Sequence, residues 1–200
     1  MNLSKNILVW IGIFGFLISC GESKSSQGDV YFNNEQYEEA IQSYEKFLQS
    51  RPKDIKVLYN KGRAHEELGN FEEAEESFKK ALELDKKNVQ ILLSLSNLYH
   101  KMKKPESALM YADNAVEISG APAMAYFLKG RSLHQLGNAD EAMREYNAAI
   151  KMNPNYGQAY YYRGMLKVAT DKTNQACDDF RKALNNKFEM AQESLNNYCQ

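Results

Sequence analysis

Net charge is almost absent from this chain. Among 200 residues, 25 Lys and Arg are set against 26 Asp and Glu, for a formal charge of −1. That balance excludes the electrostatic footprint of a nucleic-acid-binding protein or of one that collects acidic substrates. The Lys101, Lys103 and Lys104 group reads as a solvated turn. Histidine occurs only three times, and no HExxH, phosphate-cradling glycine loop or nucleophile motif is present. No residue set points to a catalytic centre, a cofactor or a small-molecule substrate, so the chain reads as a non-enzyme. Membrane-spanning length is missing too: the apolar run from Ile7 to Ile18 has twelve residues, short of the roughly 20 that a helix needs to cross a bilayer. Cysteine is limited to Cys20, Cys177 and Cys199, and the single tryptophan is Trp10.

The apolar run follows Lys5 and ends Leu17-Ile18-Ser19-Cys20-Gly21. A short positive start, an apolar stretch and a small residue at its end are the parts of a secretory signal. An ordinary signal with an incidental cysteine, or a buried N-terminal helix, is the alternative reading; the only N-terminal cysteine sits at the end of the apolar run after a small residue. Leu-Ile-Ser-Cys resembles the lipobox of bacterial lipoproteins. The resemblance implies a signal peptide over 1–19, removed with Trp10, and a Cys20 that is acylated and becomes the first mature residue. Each buried acyl CH₂ contributes about 0.8 kcal/mol, and two or more chains anchor stably. Gly21 to Gln27 is small and polar, so 20–27 reads as a lipidated cysteine and flexible tether. Gly rather than Asp after Cys20 resembles lipoproteins sent to the outer membrane. The implied location is the bacterial cell envelope, lipid-anchored at the outer membrane and facing the periplasm.

The rest of the chain is periodic. Ala40, Ala74, Ala108, Ala142 and Ala176 recur at intervals of 34, and Gly28, Gly62, Gly130 and Gly164 keep a second register. Such a period marks a stack of repeated units. Cut at that interval, the blocks are 21–54, 55–88, 89–122, 123–156 and 157–190. Each holds two apolar stripes at helical spacing around a polar turn such as Leu68-Gly69-Asn70, so each reads as an antiparallel helix pair. Small residues at block positions 8, 20 and 27 would let backbones approach, and large ones at 4, 11 and 24 would fill the gaps beside them. Phe188, Met190, Ala191, Leu195 and Tyr198 form an apolar stripe over 188–200 that reads as a capping helix, because an array buries its faces only against neighbours.

The second block, with Leu58, Lys61-Gly62, His65, Ala74, Phe78 and Ala81, and the fourth, with Tyr126, Lys129-Gly130, Leu133, Ala142, Tyr146, Ala149 and Pro154, resemble tetratricopeptide repeats. The fifth matches at Tyr160, Gly164, Ala176, Phe180 and Ala183. The third keeps phase although Ser96 replaces the glycine and Ala112 the aromatic. The first departs most, with Phe47 at a position usually small. The resemblance covers 28–190 and implies an all-α, right-handed superhelix of about five helix-turn-helix repeats plus the cap.

By that resemblance the first helix of each pair lines a concave groove. The residues carried onto it are Tyr59, Arg63, Leu93, Asn97, His100, Phe127, Arg131, His134, Tyr161 and Met165. Aromatics and Met beside Arg, Asn and His suit a protein or peptide partner. The places of a terminal-carboxylate clamp hold Tyr59, Arg63, Ser94, Met124 and Leu128, so no such clamp is expected.

His65 reads as a packed interior residue. His100 and His134 share one register and are expected to neighbour one another in the groove; a two-His set without a carboxylate or Cys is an incomplete metal site, so none is assigned. Cys177 and Cys199 are either two free thiols or, as export favours, a disulfide. The resulting expectation is a membrane-tethered scaffold for a protein partner in envelope assembly, secretion or a cell-wall complex. A self-associating structural envelope protein is the main rival, and an envelope enzyme a remote one.

Overall fold

The computed structural model describes residues 24–199. The signal segment 1–19 and Cys20 lie outside the described residues. Among the described residues the chain is all helix: α1 (Lys24–Asn33), α2 (Tyr37–Leu48), α3 (Ile55–Glu67), α4 (Phe71–Leu84), α5 (Val89–Lys101), α6 (Pro105–Val116), α7 (Ala123–Gln135), α8 (Ala139–Met152), α9 (Gly157–Ala169), α10 (Thr173–Asn185) and α11 (Ala191–Tyr198). No helix among them is long and apolar enough to cross a membrane. α1 begins at Lys24, so 24–27 are helical, not tether; the composition of that stretch did not reveal this.

Residues Ile55, Val89, Ala123 and Gly157 open the first helices of four pairs, each 34 residues after the last, and the second helices open at Tyr37, Phe71, Pro105, Ala139 and Thr173 at the same interval. Each turn within a pair passes through one left-handed residue: Glu35 (φ 60°), Gly69 (77°), Lys103 (57°), Gly137 (82°) and Asp171 (58°). Only two are glycine; at the others a Cβ is carried at a cost of roughly 1 to 2 kcal/mol each. Side-chain caps start two of the first helices, Asp54 accepting from Val57 N at 3.0 Å and Asn88 from Ile91 N at 3.3 Å.

Helices α1 to α10 pair as five antiparallel hairpins, each packed on the next, with further contacts between first helices (α1 with α3, α5 with α7, α7 with α9). The alanines at positions 20 and 27 are fully buried, as are Tyr44, Phe78, Tyr146 and Phe180 at position 24. Each of these rings lies against the glycine sixteen residues before it, Gly28, Gly62, Gly130 and Gly164. In the third pair the exchange is mutual: Ala112 leaves room that Ser96 uses, and the Ser96 hydroxyl donates to the Ala108 carbonyl at 2.9 Å. Charged links sew pair to pair, Lys61 to Glu45 at 2.7 Å, Lys129 to Asp113 at 3.0 Å and Arg163 to Asn147 at 2.6 Å.

Lys167 of α9 stands where other repeats carry an apolar or aromatic residue. It and Arg163 both reach the buried Asp179 of α10, at 2.7 Å and 2.8 Å. α11 covers the end of the stack, with Ala191, Phe188 and Leu195 packed on the cluster around Phe180. Cys177 and Cys199 form a disulfide, their Cα atoms 5.7 Å apart, which joins α10 to the end of α11. Two members of the expected cap stripe depart from it. Met190, just before the helix, is 60% exposed, and Tyr198, on the last turn, is 41% exposed while stacking on Phe180.

A candidate partner-binding groove

Successive first helices lay their inner edges side by side, so the same helix positions recur along one wall. Tyr59 of α3, Leu93 and Asn97 of α5, and Phe127 and Arg131 of α7 border one cavity of about 390 Å³. Arg131 also borders a second of about 380 Å³, with His134, Tyr161 and Met165. The two cavities meet at Arg131 and run from the second pair to the cap.

Some of the polar groups in the first cavity engage one another and others are left open. The Tyr59 hydroxyl accepts from Gln90 Nε2 at 3.0 Å and lies 3.2 Å from Ser94 Oγ. Glu66 is neutralised by Lys101 at 2.8 Å. The Tyr156 hydroxyl is buried without a hydrogen-bond partner, and burial pushes its pKa up to about 12. Arg131 lies over the Tyr162 ring, 5.4 Å from its centroid, and its Nε is buried with no partner.

Three expected groove residues are placed otherwise. His100 is 4% exposed: Nδ1 donates to Gln135 Oε1 at 2.9 Å and Nε2 lies 3.1 Å from Ser132 Oγ. Those bonds tie α5 to α7, and burial, helped by the Arg131 charge, pushes its pKa down to about 4. It is a neutral interior link. Arg63 borders neither cavity; its guanidinium sits 4.6 Å over the Phe32 ring and packs α1 against α3. Phe127 is 2% exposed among Tyr146, Tyr156 and Tyr162, so it forms the groove floor as a core residue.

Nor do His100 and His134 pair. His134 Nδ1 faces the Tyr146 hydroxyl at 3.4 Å, and burial lowers its pKa. His65 is packed in the interior, its Nδ1 unpartnered. Among the described residues no group of three or more His, Cys, Asp or Glu is arranged to hold a metal ion.

The groove also takes in Tyr156, Tyr162 and Met190. Register reasoning missed them because they come from the turn before α9, from an off-register place on α9 and from the cap. The one signal available was compositional, the run Tyr160-Tyr161-Tyr162, too rich in rings for one helix face to bury.

Models of the tetratricopeptide repeat match residues 26–89 and 67–117, and a TPR-repeat model matches 130–171. No curated protein matches the chain by sequence. Among solved structures, MamA (41-end) from Desulfovibrio magneticus RS-1 superposes with a TM-score of 0.75 at 21% identity, covering 84% of this chain and 94% of that one. PilW, titled a widely conserved type IV pilus biogenesis factor, gives 0.74 at 21% identity, with 82% and 76% covered. YrrB, titled a TPR protein with an unusual peptide-binding site, gives 0.70 at 23%, with 86% and 90% covered. At these identities the likeness is one of fold.

Proposed function

Since the chain belongs to the tetratricopeptide repeat family, we propose that it is a non-catalytic scaffold that holds a protein or peptide partner in its groove, tethered to the bacterial envelope membrane by an acylated Cys20. The observation that carries the reading is the groove's make-up. Apolar anchors from Leu93, Tyr161 and Met165 stand beside Asn97, Arg131 and His134 in two cavities that share Arg131, the mixture a peptide needs for both burial and orientation. The anchoring half rests on the Leu17-Ile18-Ser19-Cys20 sequence. The repeats would then ride beside the bilayer, in service of envelope assembly, secretion or cell-wall complexes.

A photoreactive residue at Tyr161, introduced into the full chain in bacterial cells, tests the groove. A discrete cross-linked partner is expected from Tyr161 and none from the outward Met110, which is 50% exposed. Equal cross-linking from both would refute a groove-directed partner, and a cross-linked species made only of this chain would replace the scaffold reading with self-assembly. Cys20→Ser should move the protein from the membrane to the soluble fraction; an unchanged distribution would sink the anchor.

A further inference from the structure

The charges along the groove are not balanced. Of the side chains lining the two cavities, Glu66 is neutralised by Lys101, and burial lowers the pKa of His134, which favours the neutral ring. Arg131 stands alone: among the described residues no carboxylate pairs with it, and its buried Nε has no acceptor. A guanidinium offers five donors in a rigid fork, and buried polar atoms normally find a partner. Stacking on Tyr162 already holds this fork in place, so a ligand need not order it. It is the one charge on the groove wall without a counter-charge, at the point where both cavities meet.

The cavity on its C-terminal side is apolar in character. Tyr161, Tyr162 and Met165 meet Met190, a large side chain 60% exposed at the start of the cap. Methionine thioethers adapt to varied apolar shapes, and tyrosine rings give rigid contact area.

Resting on the groove reading above, we propose that the partner segment carries a carboxylate side chain next to an apolar one, the carboxylate seated on Arg131 and the apolar side chain lodged among Tyr161, Met165 and Met190. A carboxylate matches the fork with two charge-assisted hydrogen bonds. A basic segment finds no free acid here, since the only lining carboxylate is already paired.

The test is a selection of short random peptides on the full chain held in detergent micelles. Enriched peptides should place Asp or Glu beside Leu, Ile, Met or Phe. Their affinity should fall about tenfold or more with Arg131→Gln, in line with the loss of charge-assisted hydrogen bonds, recover in part with Arg131→Lys, and fall with Met190→Ser. Met190→Ser alters an exposed side chain and so keeps the experiment readable if Arg131 variants unfold. Enriched peptides without an acid, or binding indifferent to Arg131→Gln in a folded protein, would overturn this inference and leave the groove reading standing, provided they compete with cross-linking from Tyr161. Peptides that bind but neither compete there nor respond to Met190→Ser, or no enrichment at all, would overturn both.

Discussion

A Cβ placed on Gly130 would stand 2.9 Å from Cδ1 of Tyr146. The backbone of α7 is therefore seated against the ring of α8, and the same glycine-to-ring contact closes four of the five hairpins. The third hairpin, with Ser96 and Ala112, shows that ring and missing Cβ are exchanged together.

Gly130→Ala should cost roughly 1 to 3 kcal/mol by overpacking that crossing. In a Tyr146→Ala background the cost should shrink, because the ring that the new methyl would strike is gone and only the Glu145 Cβ contact at 3.2 Å remains. Denaturant unfolding of the two singles and the double gives the coupling; strictly additive effects would contradict the contact.

Asp179 receives Arg163 and Lys167, and its side chain is 2% exposed. Asp179→Ala leaves Arg163 and Lys167 without a counter-charge and should destabilise by about 3 to 5 kcal/mol. Removing Glu76 from its exposed pair with Lys80 should cost less than about 1 kcal/mol. Comparable losses in the two variants would show that burial of the Asp179 pair is not what matters.

Stability should fall as pH drops from about 6.5 to about 4. The pKa of His100 is pushed from the ordinary 6.5 to about 4 by burial first and by Arg131 second, so over that interval the unfolded chain binds a proton that the folded chain refuses. Unfolded-state binding makes stability rise with pH, levelling off above 6.5; the His100 share is up to about 3 kcal/mol. Burial shifts His65 and His134 in the same direction. Melting curves across this window should be flatter for His100→Gln; an unchanged slope would rule out this origin.

Cys177→Ser should lower stability by roughly 3 kcal/mol, the chain-entropy value for a loop of this size, and should loosen α11 before the repeats unfold. Alkylation mass spectrometry with and without reductant reads the bond directly, and hydrogen exchange over 188–199 reads the loosening. If both thiols of the native protein alkylate without reductant, the cap is held by packing alone.

Much of the architecture could be read from spacing. The period of 34, the alanines at 40, 74, 108, 142 and 176, and the glycine registers place every hairpin, because each small residue marks a helix crossing and its recurrence marks the next. Partners across repeats were less legible. Phe127 occupies a groove position by count, yet Tyr156 from the turn before α9 and Tyr162 of α9 close over it. Arg63 is spent on Phe32, and His100 on Gln135 and Ser132.

What the sequence alone determined is the stack of paired helices, since helical periodicity and the placement of small against large residues are local properties repeated in phase. What only the tertiary structure decided is which groove residues stay open, which of them carry an unanswered charge, and that Met190 of the cap joins the wall. Those depend on side chains from separate hairpins meeting in space, and no single repeat encodes the neighbour that will cover it.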